Sequence, residues 1–248
     1  MRLSKFLAHR GVCSRRQAEE LIGLGQVSVD GVVITTQGTT VTGEETISVS
    51  GKPLPKEESP AIWIFNKPVS VITSRQDPEE RPTIYDLLPN DLLRLVSVGR
   101  LDFNSEGLLL LTNYPPLAHY LEKPKHEVER CYRVRIFGMS PEKIRRAENS
   151  LVIDGVRYRP LKVEMGEKGK SSFWVTLTLT EGKNREIRRI IHYLGGSIDR
   201  LIRVSYGPFQ LGDLRRGKLK KAPSKMVASI LEKALAISGE ISEDLDQL

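Results

Sequence analysis

The chain has 248 residues, 39% hydrophobic and 28% charged, which excludes a disordered chain and fits one large domain or a small one joined to a medium one. Its net charge of +7 favours a polyanionic partner. No apolar run approaches the ~18 residues that span a bilayer, so no membrane role is expected, and Cys13 and Cys131, free of metal-ligand spacing, suit a reducing cytoplasm and argue against a disulfide framework or a metal site.

At the N-terminus, Leu3, Phe6 and Leu7 recur at i, i+3 and i+4, one face of a short helix. Ser14-Arg15-Arg16-Gln17 is a capping-box pattern that starts a second helix, with Ala18, Leu21 and Ile22 on its buried face. Val27-Ser28-Val29 alternates as a strand, Asp30-Gly31 is a favoured two-residue turn, and Val32-Val33-Ile34 returns. The stretch from Arg2-Leu3-Ser4-Lys5-Phe6-Leu7 through Ser14–Ala18 to Val27–Gly31 resembles the S4 RNA-binding domain. That resemblance implies that Lys5, Arg10, Arg15 and Arg16 face RNA. Spacing alone leaves the arginines open to a plain reading as solvated surface. Their sign speaks mildly for function, since a helix N-terminus ordinarily prefers acids and its free N–H groups attract phosphate.

Pro53, Pro55, Lys56, Glu57, Glu58, Ser59 and Pro60 form a polar, proline-rich run without hydrophobic period, read as a linker. The expected organisation is therefore an S4 domain over 1–52, a linker over 53–60, a larger domain over 61–236 and an acidic, disordered tail over 237–248. That tail carries four acids and no base.

In the larger domain, Trp63-Ile64-Phe65 begins a buried strand that Lys67-Pro68 breaks. Thr83 to Pro89 reads as a short capped helix, and Leu95 to Val98 and Leu108 to Leu111 as strands. Between those strands lies the polar loop Gly99-Arg100-Leu101-Asp102-Phe103-Asn104-Ser105-Glu106-Gly107, the kind of strand-held loop that carries catalytic groups. Glu129 to Val134 alternates, with Tyr132 and Val134 on one face. Phe173, Val175, Leu177 and Leu179 alternate again, and Asn184 is placed to cap a helix whose buried face is Ile187, Ile190, Ile191 and Leu194. Arg185, Arg188, Arg189 and His192 fall off that stripe. Residues 182–221 hold eleven Lys or Arg against three acids, a concentrated phosphate-binding footprint. A further helix is expected near 223–237.

Taken singly, Asp102 reads as a loop carboxylate paired with Arg100, Tyr132 as core, and His192 as polar surface. Three strings together resemble the S4-domain ribosomal pseudouridine synthase family: Gly99-Arg100-Leu101-Asp102 with Ser105 to Asn113, Glu129 to Val134, and Glu181 to Arg189. Within that family the Ser-Arg-Arg-Gln helix start is closer to large-subunit enzymes. The resemblance covers residues 1 to about Leu214; the Lys218-Leu219-Lys220-Lys221 stretch and the residues beyond it depart from the family pattern.

The resemblance implies isomerisation of a uridine in ribosomal RNA, 23S by the closer likeness, on free RNA or a pre-ribosomal particle. It makes Asp102 the nucleophile, attacking C1′ of the ribose or C6 of the base. Tyr132 stacks on a flipped uracil and takes the C5 proton, and Arg188 pairs with Asp102. Lys67, Arg100, Lys183, Asn184, Arg185 and Arg189 are expected to contact the RNA. No cofactor and no metal are expected, and the chain is expected to act as a monomer. The expected fold is α+β: an S4 domain plus a catalytic domain with a mixed, mainly antiparallel sheet and a central cleft. A non-catalytic S4-type ribosome-assembly factor would explain the charge equally well. A glycoside hydrolase using Asp102 would need a second carboxylate, for which Glu106 is the near candidate.

Overall fold

The computed structural model describes residues 1–56 and 58–245, with side chains described as far as Ala236. Helices α1 (Leu3–His9) and α2 (Arg15–Gly23) pack against strands β1 (Val27–Val29), β2 (Val32–Ile34), β3 (Ile47–Val49) and β4 (Lys52–Pro53). Ser14 caps α2 as its sequence predicts: its Oγ accepts from Gln17 N at 3.2 Å, and Gln17 Oε1 accepts from Ser14 N at 3.0 Å. Asp30 and Gly31, with φ of 49° and 82°, make the left-handed turn between β1 and β2. The sheet is wider than the hairpin its sequence suggests. β3 pairs with β1 and β4 with β3, giving the order β2-β1-β3-β4. The helices and this sheet enclose Leu3, Phe6, Leu7, Ala18, Ile22, Val27, Val41 and Ile47.

The larger domain comprises β5 (Ile62–Lys67), β6 (Val96–Val98), β7 (Glu106–Thr112), α3 (Pro115–Glu122), β8 (Arg130–Phe137), β9 (Leu151–Ile153), β10 (Val156–Tyr158), β11 (Lys162–Lys168), β12 (Ser172–Leu179), α4 (Glu186–Tyr193), β13 (Ser197–Tyr206), β14 (Phe209–Gln210), β15 (Leu219–Lys221) and α5 (Ser224–Leu245). β9 and β10 form a separate hairpin. The main sheet runs β11-β12-β8-β13-β7-β5-β15, with β6 paired to β7 and β14 to β13. Its described pairings are antiparallel except at the centre, where β13 runs parallel to β7 with Ile202 opposite Glu106 and Arg203 opposite Gly107. The sheet is therefore mixed and mainly antiparallel, and the fold is α+β, as expected.

β7 is buried along its whole length, which explains why Leu108-Leu109-Leu110-Leu111 is a continuous apolar run and not an alternating one. Leu108 and Leu110 face a core covered by α3 and α5, with Ile62, Ile64, Leu117 and Val227. Leu109 and Leu111 face the opposite side, with Phe65, Ile84, Leu95 and Leu101. In the other half of the sheet, α4 lays Ile187, Ile190 and Ile191 over Val134, Ile136, Val175 and Leu177. Tyr132 touches both of these last two clusters. The gap between them, above the parallel seam, is the cleft.

The seam demands a glycine. Gly107 has φ 101°, and a Cβ there would lie 2.4 Å from the Arg203 carbonyl oxygen.

Two expectations need correction. Asn184 does not cap α4: Arg185 occupies the cap position in a left-handed conformation without a capping side chain, and Glu186 Oε2 instead accepts from Lys183 N at 3.0 Å. The Glu186 carboxylate thus reaches back to the chain before the helix, in the manner of the second half of a capping box, without a capping side chain at the N-cap. Helix α5 runs to Leu245, past the end expected near 237. Residues 246–248 of the expected tail lie outside the described residues.

Candidate active site

The cleft has a volume of about 450 Å³ and is lined by the Arg100–Asp102 loop, Tyr132, the start of α4 and the end of β13. Such a volume suits a single nucleoside-sized guest. Asp102 is held from below. The Lys67 ammonium, at the end of β5, donates to Asp102 O at 3.1 Å, Ser105 O at 2.9 Å and Pro68 O at 2.9 Å. Thr73 Oγ1 donates to Leu101 O at 3.0 Å and accepts from Leu101 N at 3.3 Å. Ser105 N donates to Asp102 O at 3.0 Å, closing the turn. The loop is rigid because its backbone polar groups are answered by buried side chains.

The expectation that Lys67 contacts RNA is therefore overturned. The residue is 0% exposed and its ammonium is engaged by three carbonyls. Burial, partly offset by Asp102 and Glu106, pulls its pKa down to about 8.

The Asp102 carboxylate, about one third exposed, projects into the cleft between two guanidinium groups. Arg188 Nε lies 3.7 Å from Asp102 Oδ2 and Arg185 Nη1 lies 3.4 Å from the same oxygen. Arg188 also donates from Nη2 to Asn104 O at 2.8 Å and to Ser105 Oγ at 3.2 Å. The residues expected to meet, Asp102, Tyr132 and Arg188, thus line one cleft. Arg188 is the partner of Asp102 that its sequence position suggested, and Arg185 joins it. Arg100 lines the same cleft and does not pair with Asp102 among the described ion pairs.

Of the other expected RNA contacts, Asn184 lines the cleft. Lys183 also lines it, but its ammonium is bound to Glu181 at 2.8 Å and 2.9 Å. Arg189 is exposed on a neighbouring groove that it shares with Arg185, Arg188 and His192. In the N-terminal domain, Lys5, Arg15 and Arg16 are exposed, Arg15 within 3.6 Å of Glu19. Arg10 turns back over Phe6 and donates to Pro55 O at 3.1 Å, tying α1 to the inter-domain segment.

Several site residues were not anticipated. Arg130, 5% exposed, donates to Tyr206 Oη at 2.8 Å, Leu121 O at 3.2 Å and Thr180 O at 3.2 Å, and also to Glu181 O. It ties β8 to α3 and to the turn before α4. Arg203 is buried against Tyr132. Glu186 lies at the cleft wall, and burial, with the neighbouring Glu181 charge, pushes its pKa up to about 7 against the Lys183 N–H that favours the anion. A signal existed for Arg130: it shares a face of β8 with Tyr132 and Val134, and a base on an apolar strand face is anomalous.

Glu106, the carboxylate that a hydrolase would need, is buried and paired with Arg200 at 2.8 Å and Arg216 at 2.9 Å. It does not line the cleft.

Comparison with known proteins agrees with this geometry. Residues 61–193 match the RNA pseudouridylate synthase family, and residues 1–47 match the S4 domain. The chain is 42% identical over 234 residues to an uncharacterized RNA pseudouridine synthase of Rickettsia typhi, covering 94% of this chain and 96% of that protein. It is 36% identical over 242 residues to the ribosomal large subunit pseudouridine synthase B of Bacillus subtilis, covering 96% and 98% of the two chains. A crystal structure of a pseudouridylate synthase superposes with a TM-score of 0.66 at 26% identity, over 93% of this chain and 99% of that one. The chain belongs to the RNA pseudouridylate synthase family and is an S4-domain isomerase of that family.

Proposed function

We propose that this enzyme converts one uridine of large-subunit ribosomal RNA, the 23S molecule, to pseudouridine, with Asp102 as the nucleophile. The observation that carries the reading is a carboxylate bracketed by Arg188 and Arg185 in a nucleoside-sized cleft that Tyr132 also lines. The large-subunit assignment rests on the Bacillus subtilis relative.

The reaction breaks the bond from uracil N1 to ribose C1′, rotates the base, joins C5 to C1′ and removes the proton from C5. The target must leave its stack to reach Asp102, so the uridine flips into the cleft, at a cost of a few kcal/mol (of order ~2–4) that the enclosing contacts offset. Two flanking guanidinium groups hold and aim the Asp102 carboxylate, which suits attack on an electron-poor carbon of the nucleotide, C1′ or C6. Exposed Lys5, Arg15 and Arg16 of the S4 domain, with Arg100, Arg185 and Arg189 around the cleft, supply the phosphate contacts that set register. The enzyme acts in the cytoplasm as a monomer, on RNA or on a pre-ribosomal particle.

The test is a map of pseudouridine in ribosomal RNA by carbodiimide adducts and primer extension. It compares cells with and without the gene, complemented by wild type or by Asp102→Asn. A single large-subunit stop that disappears on deletion and returns with wild type alone is the expected result. A map unchanged by deletion removes the proposed function and leaves a non-catalytic assembly role.

A further inference from the structure

Arg203 stands opposite Tyr132 in register between β13 and β8, so both side chains rise from the same face of the sheet at the cleft. It is 2% exposed. Its Nε donates to Leu108 O at 2.7 Å, its Nη1 donates to Tyr132 Oη at 3.4 Å, and its Nη2 is buried without an acceptor. The guanidinium carbon lies 5.0 Å from the Tyr206 ring centre and 6.0 Å from that of Tyr132.

No carboxylate pairs with this charge among the described residues. Asp102 is taken by Arg185 and Arg188, and Glu106 by Arg200 and Arg216. Lys67, also buried, is a second cation felt at the same place, since Arg203 helps to lower its pKa. A buried, uncompensated cation with a spare N–H is costly, and folds retain such a group where an anion arises during function. The oxygen that its Nη1 faces is the phenol oxygen of Tyr132.

The backbone under Arg203 is clamped as well. Gly107 lets β7 approach so closely that a Cβ there would sit 2.9 Å from Arg203 N and 2.4 Å from Arg203 O. With Nε anchored on Leu108 O of that same strand, the guanidinium has little freedom to leave Tyr132.

We propose that Arg203 is a positioning residue for the last step of the isomerisation, orienting Tyr132 Oη to take the C5 proton. The role rests on the reading of the chain as a uridine isomerase. In that step the C5–H bond breaks and its electron pair returns to the uracil ring, whose N1 takes a proton from water. The C5 proton passes to Tyr132 Oη as that phenol gives its own proton to water, which leaves the enzyme reset. Before and after the transfer, the Arg203 N–H groups face the oxygen whose charge changes, the preorganised arrangement that lowers a barrier without reorganisation.

The experiment measures single-turnover rates of purified enzyme on RNA whose target uridine carries hydrogen or deuterium at C5. Wild type is compared with Arg203→Lys, Arg203→Gln and Tyr132→Phe, with RNA affinity and thermal unfolding measured alongside. Arg203→Lys and Arg203→Gln are expected to slow turnover, the second by roughly 10²-fold, and to raise the deuterium isotope effect above the wild-type value while RNA affinity holds. In the Tyr132→Phe background, Arg203→Lys is expected to add no further change in isotope effect. Lys and Gln differ in volume and charge, so either variant that folds is enough for the reading. A slowed rate with the wild-type isotope effect, or an unchanged rate, overturns the proposal. Failure of the underlying reading looks different: wild-type protein then forms no pseudouridine at all, or Asp102→Asn forms it at the wild-type rate.

Discussion

Arg188 grips Asp102 twice, once at the carboxylate, with Nε 3.7 Å from Oδ2, and once through the loop backbone, where Nη2 donates to Asn104 O at 2.8 Å. One guanidinium thereby supplies both a countercharge and an anchor for the proposed nucleophile. Replacing it with a point charge separates the two duties, because Lys can satisfy the first and not the forked second. Arg188→Lys should retain RNA affinity and lose roughly 10²-fold in single-turnover rate, and Arg188→Ala should lose more. Rates on a short RNA carrying the target uridine check this; a fully active Arg188→Lys would leave the loop contact without importance.

Lys67 is a structural cation. Its removal leaves the Pro68, Asp102 and Ser105 carbonyls without their buried donor. Each orphaned acceptor costs on the order of 1–3 kcal/mol, so Lys67→Met should destabilise the folded protein by about 3 kcal/mol or more. Urea unfolding measures it. Catalysis should fall as well, since the Asp102 loop loses its anchor.

Gly107→Ala places a methyl where the Arg203 carbonyl stands, in a backbone conformation that side chains avoid. Overpacking and strain together predict a loss of roughly 3 kcal/mol or more and poor yield of soluble protein. Gly31→Ala, in an open turn with nothing within 4 Å of the added carbon, carries the strain without the clash and should cost less.

Glu186 holds its proton more tightly in the folded chain, near 7, than the ordinary 4.5 of an unfolded one. The folded state therefore binds more protons between those values, and stability from this group, fully present below about 4.5, is lost as pH rises through 7. Glu186→Gln should flatten the decline in unfolding temperature across a window of roughly pH 5 to 8. An equally steep decline in the variant would show that the slope arises elsewhere.

Arg15 and Arg16, exposed in the first turn of α2, should act on binding and not on chemistry. Replacing both with Ala should weaken RNA binding at every salt concentration and reduce the slope of log affinity against log salt by about 2, with the saturated single-turnover rate unchanged. Filter binding across a salt series decides this.

Much of the architecture was legible in the residues because it is local. The Ser14–Gln17 box, the Asp30-Gly31 turn and the two-residue alternation from Phe173 to Leu179 are properties of neighbours in the chain, and each appears where its pattern places it. Asp102, Tyr132 and Arg188 were legible for a different reason: their surrounding strings are long and specific. The burial of Lys67 is not legible in the sequence, because it depends on a loop 35 residues away. Asn184 does not cap because Arg185, in a left-handed conformation, takes the cap position, and that depends on the fold of the turn.

What the sequence determined by itself was the S4 module, the strands and helices with a clear local period, the basic stretch before α5 and the three residues, Asp102, Tyr132 and Arg188, that line the cleft. What only the tertiary structure decided was which charges meet. The antiparallel pairing of β13 with β8, joined across 71 residues, brings Arg203 against Tyr132, and the Arg188–Asp102 pair is closed across a comparable span of chain. Electrostatic energy depends on distance and burial in three dimensions, and neither has a period along the chain.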